Sequence, residues 1–203
     1  MSTARNRSHR ELEESQWEAR QQRRKLITIG VWVIAGVLFV ALLVYLVVKD
    51  AVPRALPGQD VPIQGQEHVQ PGVPHDPYNS DPPTSGPHYP TTAETGFFNE
   101  APLDEYLVHN LEHGHVIIWY NCSKLSEADC GTLKTQIRDV MSRAGTSLFT
   151  GTSKMNAVPR PTMTTTLAVT AWGRLYTADE FDRNLILAFA RAFRDNAPEN
   201  GAP

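Results

Sequence analysis

Cysteine is scarce in this 203-residue chain, which has only Cys122 and Cys130. Seven residues lie between them, a spacing that matches no common thiol pair for metal binding or disulfide exchange. No cysteine follows the long apolar run near the N-terminus, which argues against lipoprotein processing. Beyond residue 25 there is no basic run, and the balance there is acidic, a poor basis for nucleic-acid binding. A G-x-S-x-G elbow is also missing, so the Ser85 and His88 pair lacks the setting of a serine hydrolase. There is no internal repeat, and no histidine occurs after residue 115.

Charge is absent altogether from Leu26 to Val48, where sixteen of 23 residues are Leu, Ile, Val or Phe. At 1.5 Å per residue such a helix spans roughly 34 Å, enough for a bilayer core of about 30 Å. A cleavable signal peptide would have a shorter apolar region and a small-residue cleavage site, and none is clear after Val48. Arg20, Arg23, Arg24 and Lys25 crowd the N-terminal edge, whereas only Lys49 and Arg54 closely follow the run. The positive-inside bias therefore predicts a cytoplasmic N-terminus and export of everything after about Asp50. Residues 1–25 hold seven Lys+Arg and four Asp+Glu, net +3, leaving −6 for the remainder. The stretch from Glu11 to Lys25 reads as a charged helix leading into the membrane. Export to an oxidising compartment makes a short-loop disulfide between Cys122 and Cys130 the expectation.

Eleven of the fifteen prolines and five glycines fall between Pro53 and Pro102. The first part of this stretch reads as a linker. The rest carries His68, His75, Tyr78, His88, Tyr89, Phe97 and Phe98, and reads as an ordered loop lying on the domain. Leu103 to His113 has apolar residues at helical spacing, with Gly114 placed to stop the helix. His115 to Tyr120 (HVIIWY) and Thr164 to Trp172 (TTTLAVTAW) predict strands. Ser126 to Ala144 predicts a helix with Ser126 as N-cap. Thr177 and Glu180 form a capping-box pattern, TADE, opening a helix over Ala178 to Arg194. The expected fold class is α+β: a transmembrane helix, then a small antiparallel sheet packed with two main helices. The expected organisation is a cytoplasmic arm over 1–25, an anchor over 26–48, a linker over 49–66, an exported domain over 67–197 and a tail over 198–203.

Six of the seven histidines lie between residues 68 and 115. His109 and His113 are four apart, so one helix turn puts both imidazoles on one face. His68 and His88 lie on the Pro-rich loop, which can fold back over that helix. Convergent imidazoles suit borderline metals, and copper or zinc is the expected ion. His115 and His75 are weaker candidates, and Met155 and Met163 are left outside the site as gap-fillers. Trp119, Tyr120 and Trp172 read as packing residues more than as the lining of a cleft.

Several motifs occur in order: DPPTSGPHY from Asp81 to Tyr89, GFF from Gly96, VHNLEHG from Val108 to Gly114, and AWGR from Ala171 to Arg174. Together they resemble the bacterial domain-of-unknown-function family 3105, known for membrane-anchored, exported proteins. The resemblance runs from about His68 to the C-terminal helix and implies that His68, His88, His109 and His113 are its characteristic histidines. The family more often shows Gly where His115 stands, and His75 has no motif counterpart. No activity comes with the resemblance.

Three functions compete on these residues. The first is an extracytoplasmic metal-binding domain, for metal handling or as a structural site. The second is a non-catalytic envelope interaction or assembly protein whose histidines buttress the Pro-rich loop. The third is a metal-dependent hydrolase, because His109-Asn110-Leu111-Glu112-His113 matches H-x-x-E-H with Glu112 as base. Against the third, Gly114 cuts the helix short, and about 150 exported residues leave little room for a peptidase framework. The membrane is an expected partner, nucleic acid is not, and protein partners stay unassigned.

Overall fold

The computed structural model describes Trp17, residues 23–45 and residues 56–203. Most of the arm, the last three residues of the apolar run and the start of the linker lie outside the described residues. Helix α1, Arg23–Tyr45, is long and apolar enough to cross a membrane. A separate compact unit comprises Leu56–Pro203.

That unit contains, in chain order, β1 (Gln59–Asp60), α2 (Asp104–Glu112), β2 (Val116–Tyr120), α3 (Glu127–Arg143), β3 (Met155–Pro159), β4 (Leu167–Ala171), β5 (Arg174–Ala178) and α4 (Arg183–Phe193). The strands form one sheet in the order β1-β5-β4-β2-β3. The fold is α+β, but the sheet is mixed rather than antiparallel. β3 runs parallel to β2, and the other pairings are antiparallel. A parallel neighbour needs a long crossover, and the segment holding α3 supplies it.

Strand alternation creates two apolar faces. Val116, Ile118 and Tyr120 of β2 join Leu133, Ile137 and Val140 of α3 and Ile186, Phe189 and Phe193 of α4. Ile117 and Trp119 point the other way and pack with Leu107 and Leu111 of α2, Val158, Ala168 and Leu175. All five residues of β2 are buried, because both faces are covered. Helices α3 and α4 take one side, and α2 packs on the other. Burial of Leu107 and Leu111, each worth about 1.5–3 kcal/mol, fixes which side of α2 faces the sheet.

Helix α3 starts as expected: Ser126 Oγ accepts the Asp129 N–H at 3.1 Å. The TADE pattern does not open a helix. Thr177 and Ala178 end β5, whose residues pair along the whole of β4. Helix α4 begins at Arg183, where the Asp182 carboxylate accepts the Leu185 N–H at 3.0 Å. Cross-strand pairing outweighs a local cap worth about 1 kcal/mol. The segment read as linker contributes the short strand β1 at the sheet edge.

The Pro-rich loop is ordered and lies against α2. Asn110 clamps it at two points: Oδ1 accepts the Ala93 N–H at 2.9 Å and Nδ2 donates to the Ala93 carbonyl at 3.0 Å. Gly173 N–H donates to the Thr84 carbonyl at 3.0 Å, so the AWGR turn holds the PPTSGPH turn. Ser85 Oγ accepts the Gln64 N–H at 3.0 Å, and both Thr84 and Ser85 are buried. Phe98 N–H donates to the Ala157 carbonyl at 2.8 Å, tying the loop to β3.

Candidate metal centre

The last turn of α2 and two strands of loop build the site. Glu67 to Val69 runs alongside His88: the His88 N–H donates to the Glu67 carbonyl at 2.9 Å, and the Val69 N–H donates to the His88 carbonyl at 2.8 Å. This pairing sets the two loop imidazoles side by side, with ring centroids 4.7 Å apart. The His109 ring lies 5.0 Å from each of them. Ligand atoms of His68, His88, His109 and Glu112 all fall within 4.8 Å of one another. His88, His109 and Glu112 are buried, whereas the His68 side chain is 43% exposed.

Hydrogen bonds define which atoms are free. His88 Nδ1 donates to the Gly86 carbonyl at 2.8 Å, and His109 Nδ1 donates to the Tyr89 carbonyl at 2.7 Å. A carbonyl only accepts, so each Nδ1 carries the proton and the neutral ring keeps its lone pair at Nε2. Backbone carbonyls on the far nitrogen are the usual means of orienting metal-ligating imidazoles. His88 Nε2 then meets Glu112 Oε2 at 2.9 Å, and His68 Nε2 lies 3.8 Å from the same oxygen. The 2.9 Å approach is that of two atoms sharing one proton or one metal ion. Burial and the neighbouring His113, His88 and His68 push the His109 pKa down to about 4, against a favourable bond from Tyr89, so this imidazole is neutral at pH 7.

Of the four histidines singled out by sequence, the structure gathers His68, His88 and His109. His113 forms a second group with His109 and Glu199. Its Nε2 lies 3.3 Å from Glu199 Oε2, and its Nδ1 donates to the Pro203 main-chain oxygen at 2.9 Å. His75 is elsewhere, with Nδ1 on the Asp76 carbonyl at 2.7 Å and Nε2 3.4 Å from Glu105 Oε1. His115 is buried beside β3, with Nδ1 at 3.1 Å from Asn156 Oδ1, and its Nε2 meets no hydrogen-bond partner among the described residues. Burial lowers its pKa to about 4. Ser85 Oγ is taken up by the Gln64 N–H and does not engage His88. Cys122 and Cys130 form a disulfide at the end of β2 and the start of α3.

The H-x-x-E-H string presents Glu112 as a general base, and nothing in the sequence near Glu199 marks it as a ligand. The i,i+3 spacing from His109 to Glu112 was the available signal for the first, since it also places two side chains on one helix face. Glu199 carried no local signal, because its approach to His113 depends on the path of the C-terminal segment.

A family model described as "Protein of unknown function (DUF3105)" matches residues 68–203. Neither a curated protein nor a solved structure matches the chain.

Proposed function

The chain belongs to the DUF3105 family, and we propose that it is a membrane-anchored, extracytoplasmic domain that holds a zinc or copper(II) ion on His68, His88, His109 and Glu112. The observation that carries this reading is the 2.9 Å approach of His88 Nε2 to Glu112 Oε2 inside a ring of imidazoles. A buried carboxylate costs several kcal/mol in desolvation unless a cation accompanies it. Among the described residues, the only ion-pair partners of Glu112 are His68 and His88. Tetrahedral ligands at about 2.0–2.1 Å from zinc sit roughly 3.4 Å apart, between the 2.9 and 3.8 Å separations at Glu112. Three imidazoles and a carboxylate, with no thiolate or thioether, favour a borderline divalent ion over Cu(I).

Four protein ligands complete a tetrahedral shell, which supports a structural or carrier site and leaves Glu112 bound rather than free to act as a base. The uncharged run from Leu26 to Val48 and the basic residues that crowd its N-terminal edge support anchoring with the folded unit outside. Protease added to spheroplasts should degrade the folded unit and spare the N-terminal arm; full protection would reverse the topology.

Untagged full-length protein, purified in detergent and loaded with Zn²⁺ or Cu²⁺, should retain metal through dialysis by elemental analysis. His109→Ala should lose it, His88→Ala should hold it far more weakly, and His75→Ala should keep it. A wild-type protein that keeps no metal, or a His88→Ala/His109→Ala variant that binds equally well, would leave the interaction-protein reading in its place.

A further inference from the structure

We propose that the chain carries a second divalent-cation station, formed by His109, His113 and Glu199, that is occupied in alternation with the buried centre. This rests on the reading of the buried cluster as a metal site. His109 belongs to both groups, and the ligand atoms of His109, His113 and Glu199 also lie within 4.8 Å of one another. The His109 and His113 rings stand 4.5 Å apart and nearly perpendicular, at 82°. His113 Nδ1 is committed to the Pro203 main-chain oxygen, which leaves Nε2 facing the Glu199 carboxylate at 3.3 Å.

The carboxylate is held there by backbone bonds rather than by chance. Glu199 N–H donates to the Glu112 carbonyl at 3.0 Å, and Asp195 N–H donates to the Gly114 carbonyl at 3.0 Å. Buried Lys154 donates through Nζ to the His113 carbonyl at 2.7 Å and the Asn200 carbonyl at 2.8 Å, joining the end of α2 to the C-terminal segment. The residue whose side chain enters the buried cluster thus anchors, through its carbonyl, the residue that completes the second group.

Alternation follows from the chemistry of His109. With Nδ1 on the Tyr89 carbonyl, a neutral imidazole has one lone pair, and one ion can use it at a time. The two stations also differ in access. Glu112 is 2% exposed at its side chain, whereas Glu199 is 49% exposed. An ion that exchanges His113 and Glu199 for His68, His88 and Glu112 while keeping His109 moves from surface to interior without returning to water. The arrangement fits loading or release of a labile divalent ion.

Calorimetric titration of the detergent-solubilised full chain with Zn²⁺ tests this. Wild type should bind one ion per chain tightly. His88→Ala/Glu112→Gln should still bind one ion, on the order of 100-fold more weakly. Adding His113→Ala or Glu199→Gln to that background should weaken binding a further tenfold or more. On the wild-type background the same two changes should cost less than they do in the variant, since the ion there is held without His113 and Glu199. If the buried changes compromise folding, the nearer-isosteric His88→Gln/Glu112→Gln replaces them. Loss of all binding in the first variant, or affinity there that ignores His113 and Glu199, overturns the second station alone. Two ions on wild type overturns the alternation. Wild type that binds none removes the buried centre, and this proposal with it.

Discussion

Glu112 is the residue whose chemistry changed most between sequence and structure. In the H-x-x-E-H string it reads as a peptidase base flanked by two ligands, but a helix turn of 3.6 residues lets i+3 share a face with i as readily as i+4. The chain turns that face toward His68 and His88, and the carboxylate becomes part of the cluster. Glu112→Gln keeps the shape and removes the charge, so Zn²⁺ affinity should fall on the order of 100-fold by competition with a calibrated chelator. An unchanged affinity would take Glu112 out of the ligand set. His115 gives a second expectation, from its pKa of about 4 against an ordinary 6.5. The unfolded chain takes up this proton before the folded one does. Its contribution is therefore fully present above about pH 6.5, is lost as pH falls toward 4, and is constant below that. The full shift is worth about 3 kcal/mol. In metal-free buffer, His115→Gln should show a shallower loss of denaturant stability than wild type between pH 7 and 4; parallel profiles would refute the assignment.

At the scale of elements, the loop and helix α2 are one device. Asn110 bonds both polar groups of Ala93, and His68 and His88 reach His109 only because the loop lies on this helix. Asn110→Ala leaves two part-buried backbone groups unpaired, a cost of about 1–3 kcal/mol each before water intervenes. It should lower the thermal midpoint and weaken metal binding together, although residue 110 is not a ligand. Weaker folding with unaltered affinity would show that the loop is held elsewhere. Gly86 makes the same point locally: its φ is +128°, and an added Cβ would meet the Tyr78 ring at 3.0 Å. Much of this was legible. The apolar spacing of α2, the stop at Gly114, the run of β2 and the Ser126 cap are local signals, and local physics decides them. Met155–Pro159 was not legible as a strand, because Asn156 and Pro159 interrupt its apolar character and its pairing partner is 39 residues away in register. The direction of β3 was hidden for the same reason. The TADE string misled because a cap pattern says nothing about the strand pairing that claims its first two residues.

Across the whole folded unit, the sheet separates two kinds of stability. The histidine–carboxylate cluster lies with α2 and the Pro-rich loop, on the face of Leu107, Leu111 and Trp119. Cys122 packs with the opposite cluster, among residues of α3 and α4, and its disulfide joins the end of β2 to the first turn of α3. Closing this short loop should stabilise the fold by roughly 2–3 kcal/mol, chiefly by restricting the unfolded chain. Burial of β2 on both sides and its pairing with β3 and β4 keep it in place when such a link is cut. The Cys122→Ser/Cys130→Ser variant should therefore unfold at lower denaturant by about that free energy while its Zn²⁺ affinity stays within about threefold of wild type, as expected for independent sites. Tracking both quantities in one preparation decides it. A joint fall in stability and affinity would mean that strain crosses the sheet, so that the metal centre depends on the redox state of its compartment.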